Sequence, residues 1–107
     1  MEKPKLLRSW MFVPGDRQRM IDKALTLSVD AVMFDLEDGV APSVKDDARR
    51  QIAASLDAVT AKLKTDPAYR TPARYVRVNA PGSGRFIEDV NAVVRPGLEG
   101  LVVAKVD

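Results

Sequence analysis

The sequence predicts an α/β fold built on a parallel sheet, in the order β-α-β-α-β-α-β. Three observations lead there. Four short apolar runs recur along the 107 residues, helical patterns lie between them, and each run ends near a turn or a polar residue. Continuous apolar runs rich in β-branched residues suit parallel strands buried on both faces. Strands alternating with helices imply right-handed crossovers between neighbours. Two architectures satisfy this pattern: an open doubly wound sheet, or a piece of a closed barrel.

The first run is Trp10-Met11-Phe12-Val13, ended by Pro14-Gly15. Met20, Ile21, Ala24 and Leu25 then fall on one face of a short helix beginning near Asp16. The second run, Ala31 to Phe34, leads into the acidic stretch Asp35-Leu36-Glu37-Asp38 and Gly39. Val44, Ala48, Ile52, Leu56, Val59 and Leu63 keep the three- and four-residue spacing of an amphipathic helix. Pro42-Ser43 opens that helix, with Ser43 as its N-cap and Asp46 favouring the first turn. Thr65 to Ala73, with two prolines, reads as a loop. The third run is Tyr75 to Val78, followed by Asn79, Pro81 and Gly82. Phe86, Val90, Val93 and Val94 form a third helical face, stopped by Pro96-Gly97, and the fourth run is Leu101 to Ala104.

Composition narrows the chemistry. The chain has no cysteine and no histidine, which removes disulfides, thiolate nucleophiles and the Ser-His-Asp arrangement. Acid–base work must therefore fall to Asp, Glu, Lys or Tyr, or to a group outside this chain. The net charge is only +2 and the basic residues are scattered, so nucleic acid is not an expected partner. Met1 to Arg8 is polar and no apolar run is long enough to span a bilayer, so a soluble cytoplasmic protein without a membrane partner is expected.

In both architectures ligands bind beyond the carboxyl ends of the strands. Pro14, Gly15, Asp16 and Arg17 follow the first run, Asp35, Glu37 and Asp38 the second, Arg77 and Asn79 mark the third, and Lys105 the fourth. Three carboxylates in four residues repel one another unless a positive group holds them, and Mg²⁺ or an arginine would do so. A solvated loop that caps the next helix is the simpler reading of the same residues. Arg77 shares a strand face with Tyr75 and Asn79, opposite Val76 and Val78. A guanidinium in a buried strand needs a partner. It either pairs with the acidic stretch or holds a substrate carboxylate through its planar fork, and the two roles are compatible. Pro81-Gly82-Ser83-Gly84 matches no phosphate-loop pattern and reads as a plain connecting loop.

These segments also carry a resemblance. Arg8 to Arg17 (RSWMFVPGDR) resembles the opening strand of the HpcH/HpaI aldolase and citrate lyase β-subunit family. Asp35-Leu36-Glu37-Asp38-Gly39-Val40, with Lys45 and Ala48-Arg49 after it, is similar to the second-strand signature of that family. Val76-Arg77-Val78-Asn79 resembles its third strand and Val103-Ala104-Lys105-Val106 its fourth, with Ala104 where a proline is usual. The resemblance runs through essentially the whole chain, in order.

The resemblance implies the N-terminal portion, about four βα units, of a (β/α)8 TIM barrel, with residues 1–107 as an incomplete barrel domain of a protein that is usually oligomeric. It implies a Mg²⁺-dependent carbon–carbon lyase cleaving a 3-hydroxyacyl-CoA thioester, such as citryl-, malyl- or citramalyl-CoA, into acetyl-CoA and an oxo acid. An aldolase acting on free hydroxy-oxo acids without CoA, and a non-catalytic half-barrel acting only by assembly, are the alternatives. Carried onto this chain, Arg77 binds the oxo-acid carboxylate or thioester carbonyl. Asp38, with Glu37, holds metal-bound waters and orients Arg77. Arg8 and the Pro14-Gly15 turn line the substrate entrance, with Lys105 as a further substrate contact. The direct metal ligands of the family, a Glu and an Asp, come from later strands than these. A complete barrel needs about 250 residues, so these residues alone are not expected to catalyse the reaction.

Overall fold

A computed structural model describes residues 9–37 and 39–103. The elements run β1 (Trp10–Pro14), α1 (Gln18–Ala24), β2 (Ala31–Asp35), a 3₁₀ turn at Pro42–Val44, α2 (Lys45–Thr65), β3 (Ala73–Val78), a second 3₁₀ turn at Pro81–Ser83, α3 (Phe86–Val93) and β4 (Gly100–Val103). The strands form one parallel sheet in the order β1-β2-β3-β4. Each strand lies beside its sequence neighbour. A doubly wound sheet reverses direction at a switch point, whereas uniform winding in sequence order is the winding of a barrel. The choice that the sequence left open is thereby made.

The register sorts the side chains onto two faces. Phe12, Met33 and Tyr75 lie in one row across the sheet, and Pro14, Asp35 and Arg77 in the next row towards the strand ends. These point to the face that a barrel turns inward. Val13, Val32, Phe34, Val76 and Val78 alternate with them and point outward, where they pack with Ile21 and Ala24 of α1, Ile52, Leu56 and Val59 of α2, and Val93 of α3. Burying side chains of this size contributes about 1.5–3 kcal/mol each. Only β2 is buried along its whole length. The expectation that every strand is buried on both faces fails for β1 and β4: Phe12 is 65% exposed and Val103 48%. Phe12 lies on the face that the helices do not cover, and β4 has a strand neighbour on one side only among the described residues.

Local sequence accounts for most of the helix ends, with some corrections. The first helix begins at Gln18 rather than near Asp16, and Met20 is exposed, because only Ile21 and Ala24 of this short helix reach the sheet. Ser43 does not cap α2. Pro42–Val44 forms a 3₁₀ turn that leads into the helix, so Val44 occupies the N-cap position, with no side-chain bond there. Asp46 and Asp47 do lie in the first turn, where they complement the helix dipole. Leu63 and Val94 are exposed, Leu63 near the end of α2 and Val94 one residue past α3.

Candidate functional site

The site grows from the end of β2. Asp35 is the last residue of that strand, only 6% exposed, and stands in register with Arg77 on β3. The two form a fork: Arg77 Nε donates to Asp35 Oδ1 at 2.9 Å and Nη2 to Oδ2 at 2.8 Å. The loop after β2 curls back over the same carboxylate. Glu37 N donates to Oδ1 at 2.9 Å and Gly39 N to Oδ2 at 2.6 Å. Burial pushes the Asp35 carboxyl up, but the Arg77 hydrogen bonds, the two loop amides and the Arg77 charge outweigh it and hold its pKa below the usual carboxylate range. Asp35 is therefore ionised, and both its oxygens are engaged.

Glu37 stands at the rim, its Oε1 3.7 Å from Arg77 Nη1. Arg77 keeps a third of its side-chain surface exposed, so it is held by Asp35 while part of it still meets solvent. A guanidinium held in this way presents a charged, planar face to an anion without first having to be ordered.

A second layer lies behind. Lys45, the first residue of α2, donates from Nζ to the carbonyls of Leu36 (2.6 Å) and Glu37 (2.8 Å). Asn79 donates to the same Leu36 carbonyl at 2.9 Å and to Asp89 Oδ2 at 2.7 Å. Asp89 is fully buried, and it also accepts from Asn79 N at 2.8 Å and from Arg49 Nε at 2.7 Å. Arg49 in turn reaches Asp46 and Glu88. Burial, reinforced by nearby Arg85, lowers the Lys45 pKa against the opposing pull of Asp89, Asp35 and Glu37.

The structure thus brings together Arg77, Glu37, Pro14 and Gly15 from the sequence-predicted set. Pro14 pairs with Asp35 in the β1–β2 register, and Gly15 N donates to the Asp35 carbonyl at 2.9 Å. Gly15 has a packing reason of its own: a Cβ there would come within 2.7 Å of Ile52 Cδ1 and 2.8 Å of the Asp35 carbonyl oxygen. Arg8, Asp38 and Lys105 lie outside the described residues. Among the described residues, the hydrogen-bonding fork that orients Arg77 comes from Asp35, which the sequence reading grouped with the acidic stretch without giving it that role. Its place at the end of the second apolar run was the only sequence signal, and the register with Arg77 came from the structure. Asp89 had none, because an acid in the first turn of a helix usually faces solvent.

The described residues contain no group of three or more Asp, Glu, His or Cys side chains placed to hold a metal. With Asp35 engaged by Arg77 and two amides, they do not make a Mg²⁺ cage by themselves. A groove of about 590 Å³, lined by Gln18, Ser55, Lys62 and Tyr69 among others, belongs to the helix layer and shares no residue with the Asp35–Arg77 site. Among the described residues no helix is long and apolar enough to cross a membrane.

Residues 8–107 match the model of the HpcH/HpaI aldolase/citrate lyase family. The chain belongs to this family. The citrate lyase subunit beta of Escherichia coli is 39% identical over 105 residues, covering 98% of this chain and 32% of that protein. The (3S)-malyl-CoA thioesterase of Cereibacter sphaeroides is 32% identical over 99 residues, covering 92% of this chain and 32% of that protein. Among solved structures, the CitE protein of Mycobacterium tuberculosis in complex with magnesium, acetoacetate and coenzyme A matches with a TM-score of 0.68. Its identity is 29%, over 94% of this chain and 34% of that one. The citrate lyase beta subunit from the same organism, complexed with oxaloacetate and magnesium, matches at 0.63 with 30% identity, over 86% of this chain and 35% of that one. The chain spans about a third of the length of the curated HpcH/HpaI relatives it matches.

Proposed function

We propose that residues 1–107 are the N-terminal part of a (β/α)8-barrel carbon–carbon lyase that uses Mg²⁺ to cleave a 3-hydroxyacyl-CoA thioester of the citryl-, malyl- or citramalyl-CoA type into acetyl-CoA and an oxo acid. The observation that carries this reading is the Asp35–Arg77 fork on the inward face, at the carboxyl ends of the strands. Barrel active sites are built at that end. Asp35 neutralises and aligns the guanidinium, and the accessible part of Arg77 receives the carboxylate or carbonyl oxygen of the substrate. Glu37, at the rim, sets the electrostatics beside it. The complexes of the tuberculosis proteins with magnesium and with acetoacetate, oxaloacetate or coenzyme A support the choice of metal and substrate class.

A bound Mg²⁺ would supply positive charge to the oxygens of the substrate beside Arg77. By the family resemblance its direct ligands would come from later strands, and Arg8, Asp38 and Lys105 lie outside the described residues.

The test is an assay of the full natural polypeptide with citryl-, malyl- and citramalyl-CoA, with Mg²⁺ and after chelation. Metal-dependent release of acetyl-CoA together with the oxo acid is expected. Release of free CoA with an intact hydroxy acid would instead make the protein a thioesterase, like the Cereibacter relative. No turnover of any thioester would overturn the reading.

A further inference from the structure

Two side chains from different elements converge on one backbone oxygen behind the site. Lys45 Nζ and Asn79 Nδ2 both donate to the Leu36 carbonyl, and Lys45 adds a bond to the Glu37 carbonyl. Lys45 is 6% exposed and Asn79 also 6%. A lysine at the start of a helix ordinarily works against the helix dipole and prefers water. Here it is turned inward onto the loop that wraps the Asp35 carboxylate. That loop supplies the Glu37 and Gly39 amides that hold Asp35, and Asp35 holds Arg77.

We propose that Lys45 is a positioning residue for Arg77: its ammonium clamps the Leu36 and Glu37 carbonyls, and this fixes the Asp35–Arg77 fork in the geometry that receives substrate. The importance of that geometry for turnover rests on the reading of Arg77 as the substrate contact. The physical linkage from Lys45 to Arg77 does not. The route is short and continuous: ammonium to carbonyls, loop amides to carboxylate, carboxylate to guanidinium. Asn79, held by Asp89, provides a second point of attachment on the Leu36 carbonyl, so loss of Lys45 loosens the Glu37 end of the loop first.

The experiment uses the full natural polypeptide with ¹⁵N-labelled arginine and reads hydrogen exchange of the Arg77 Nε–H, alongside titration with oxaloacetate and Mg²⁺. Lys45→Met is expected to speed that exchange and weaken oxaloacetate binding, each about tenfold, as loss of charge-assisted hydrogen bonds implies. Lys45→Arg, which keeps charge and donors, should return both to within about threefold. Val59→Ala, which weakens the same helix far from the loop, should change stability but leave the exchange rate alone. If Lys45→Met does not fold, Lys45→Gln replaces it with the same expectations. Unchanged exchange in the Lys45 variants, or equal acceleration in Val59→Ala, overturns the proposal. If the unsubstituted protein fails to bind oxaloacetate, the citryl-CoA form of the substrate reading fails, while the exchange rates still decide whether Lys45 positions Arg77.

Discussion

Replacing Asp35 with Asn tests the centre of the site, because it keeps the shape and removes the charge. Asp35 accepts four hydrogen bonds, two from Arg77 and one each from the Glu37 and Gly39 amides. Bonds to a charged group contribute about 1.5–3 kcal/mol each when well buried. Arg77 is one-third exposed and regains part of its hydration once released, so the fork deserves a clear discount. An asparagine also presents an NH₂ group where one oxygen had accepted two donors. Together these point to a loss of about 2–3 kcal/mol at neutral pH.

The pH dependence has a definite sign. The folded Asp35 pKa lies below its ordinary value of about 4, so the unfolded chain binds the proton more readily. The stabilisation is complete above that ordinary value and is lost as pH falls through the folded pKa. Asp35→Asn should therefore flatten the acid limb of the stability profile below about pH 4 while lowering the plateau. Urea unfolding of the full natural polypeptide, followed by circular dichroism from neutral pH down to the acid limit of folding, reads both quantities. A plateau shift under about 0.5 kcal/mol, or an unaltered acid limb, would refute the reasoning that Asp35 is a buried, engaged carboxylate.

Other perturbations probe neighbouring parts. Arg77→Lys keeps the charge but loses the planar fork, and calorimetric titration should show oxaloacetate affinity reduced by about ten- to a hundredfold. Asp89→Asn removes the buried charge and puts an NH₂ in place of one of its two acceptor oxygens, so either Arg49 or the Asn79 donors lose their partner, though Asp46 and Glu88 still pair with Arg49; it should lower the urea-unfolding free energy by about 2–4 kcal/mol. Gly15→Ala drives a methyl against the Asp35 carbonyl, a backbone atom with little room to yield. It should cost about 1–3 kcal/mol in the same assay and lower activity by displacing the end of β2.

Much of this arrangement was legible in the residue order. Apolar runs separated by helical patterns specified the strands and helices to within a few residues, because period and β-branching report burial directly. The alternation of Tyr75, Arg77 and Asn79 against Val76 and Val78 survives in β3, and the expected partner of Arg77 does come from the acidic stretch on the neighbouring strand. The matching motifs placed the chain in its family across nearly its full length.

Charge alone did not distinguish Asp35, Glu37 and Asp38 as that partner, since all three carry the same charge within four residues, and the family resemblance pointed to Asp38 with Glu37. Among the described residues the strand register sets Asp35 opposite Arg77, a relation between residues 42 apart in sequence. Ser43 had the chemistry of an N-cap, yet the 3₁₀ turn took its place. Nothing local in the sequence marks Lys45 or Asp89 as inward-facing, since charged residues in a helical first turn ordinarily meet solvent. Only the packing of α2 and α3 against the strand ends turned them inward, where buried carbonyls, amides and Arg49 satisfy them. Local sequence determined which segments became strands and helices, because backbone preference and hydrophobic period act over a few residues. Tertiary structure decided which charges meet, because that depends on register and packing between distant segments.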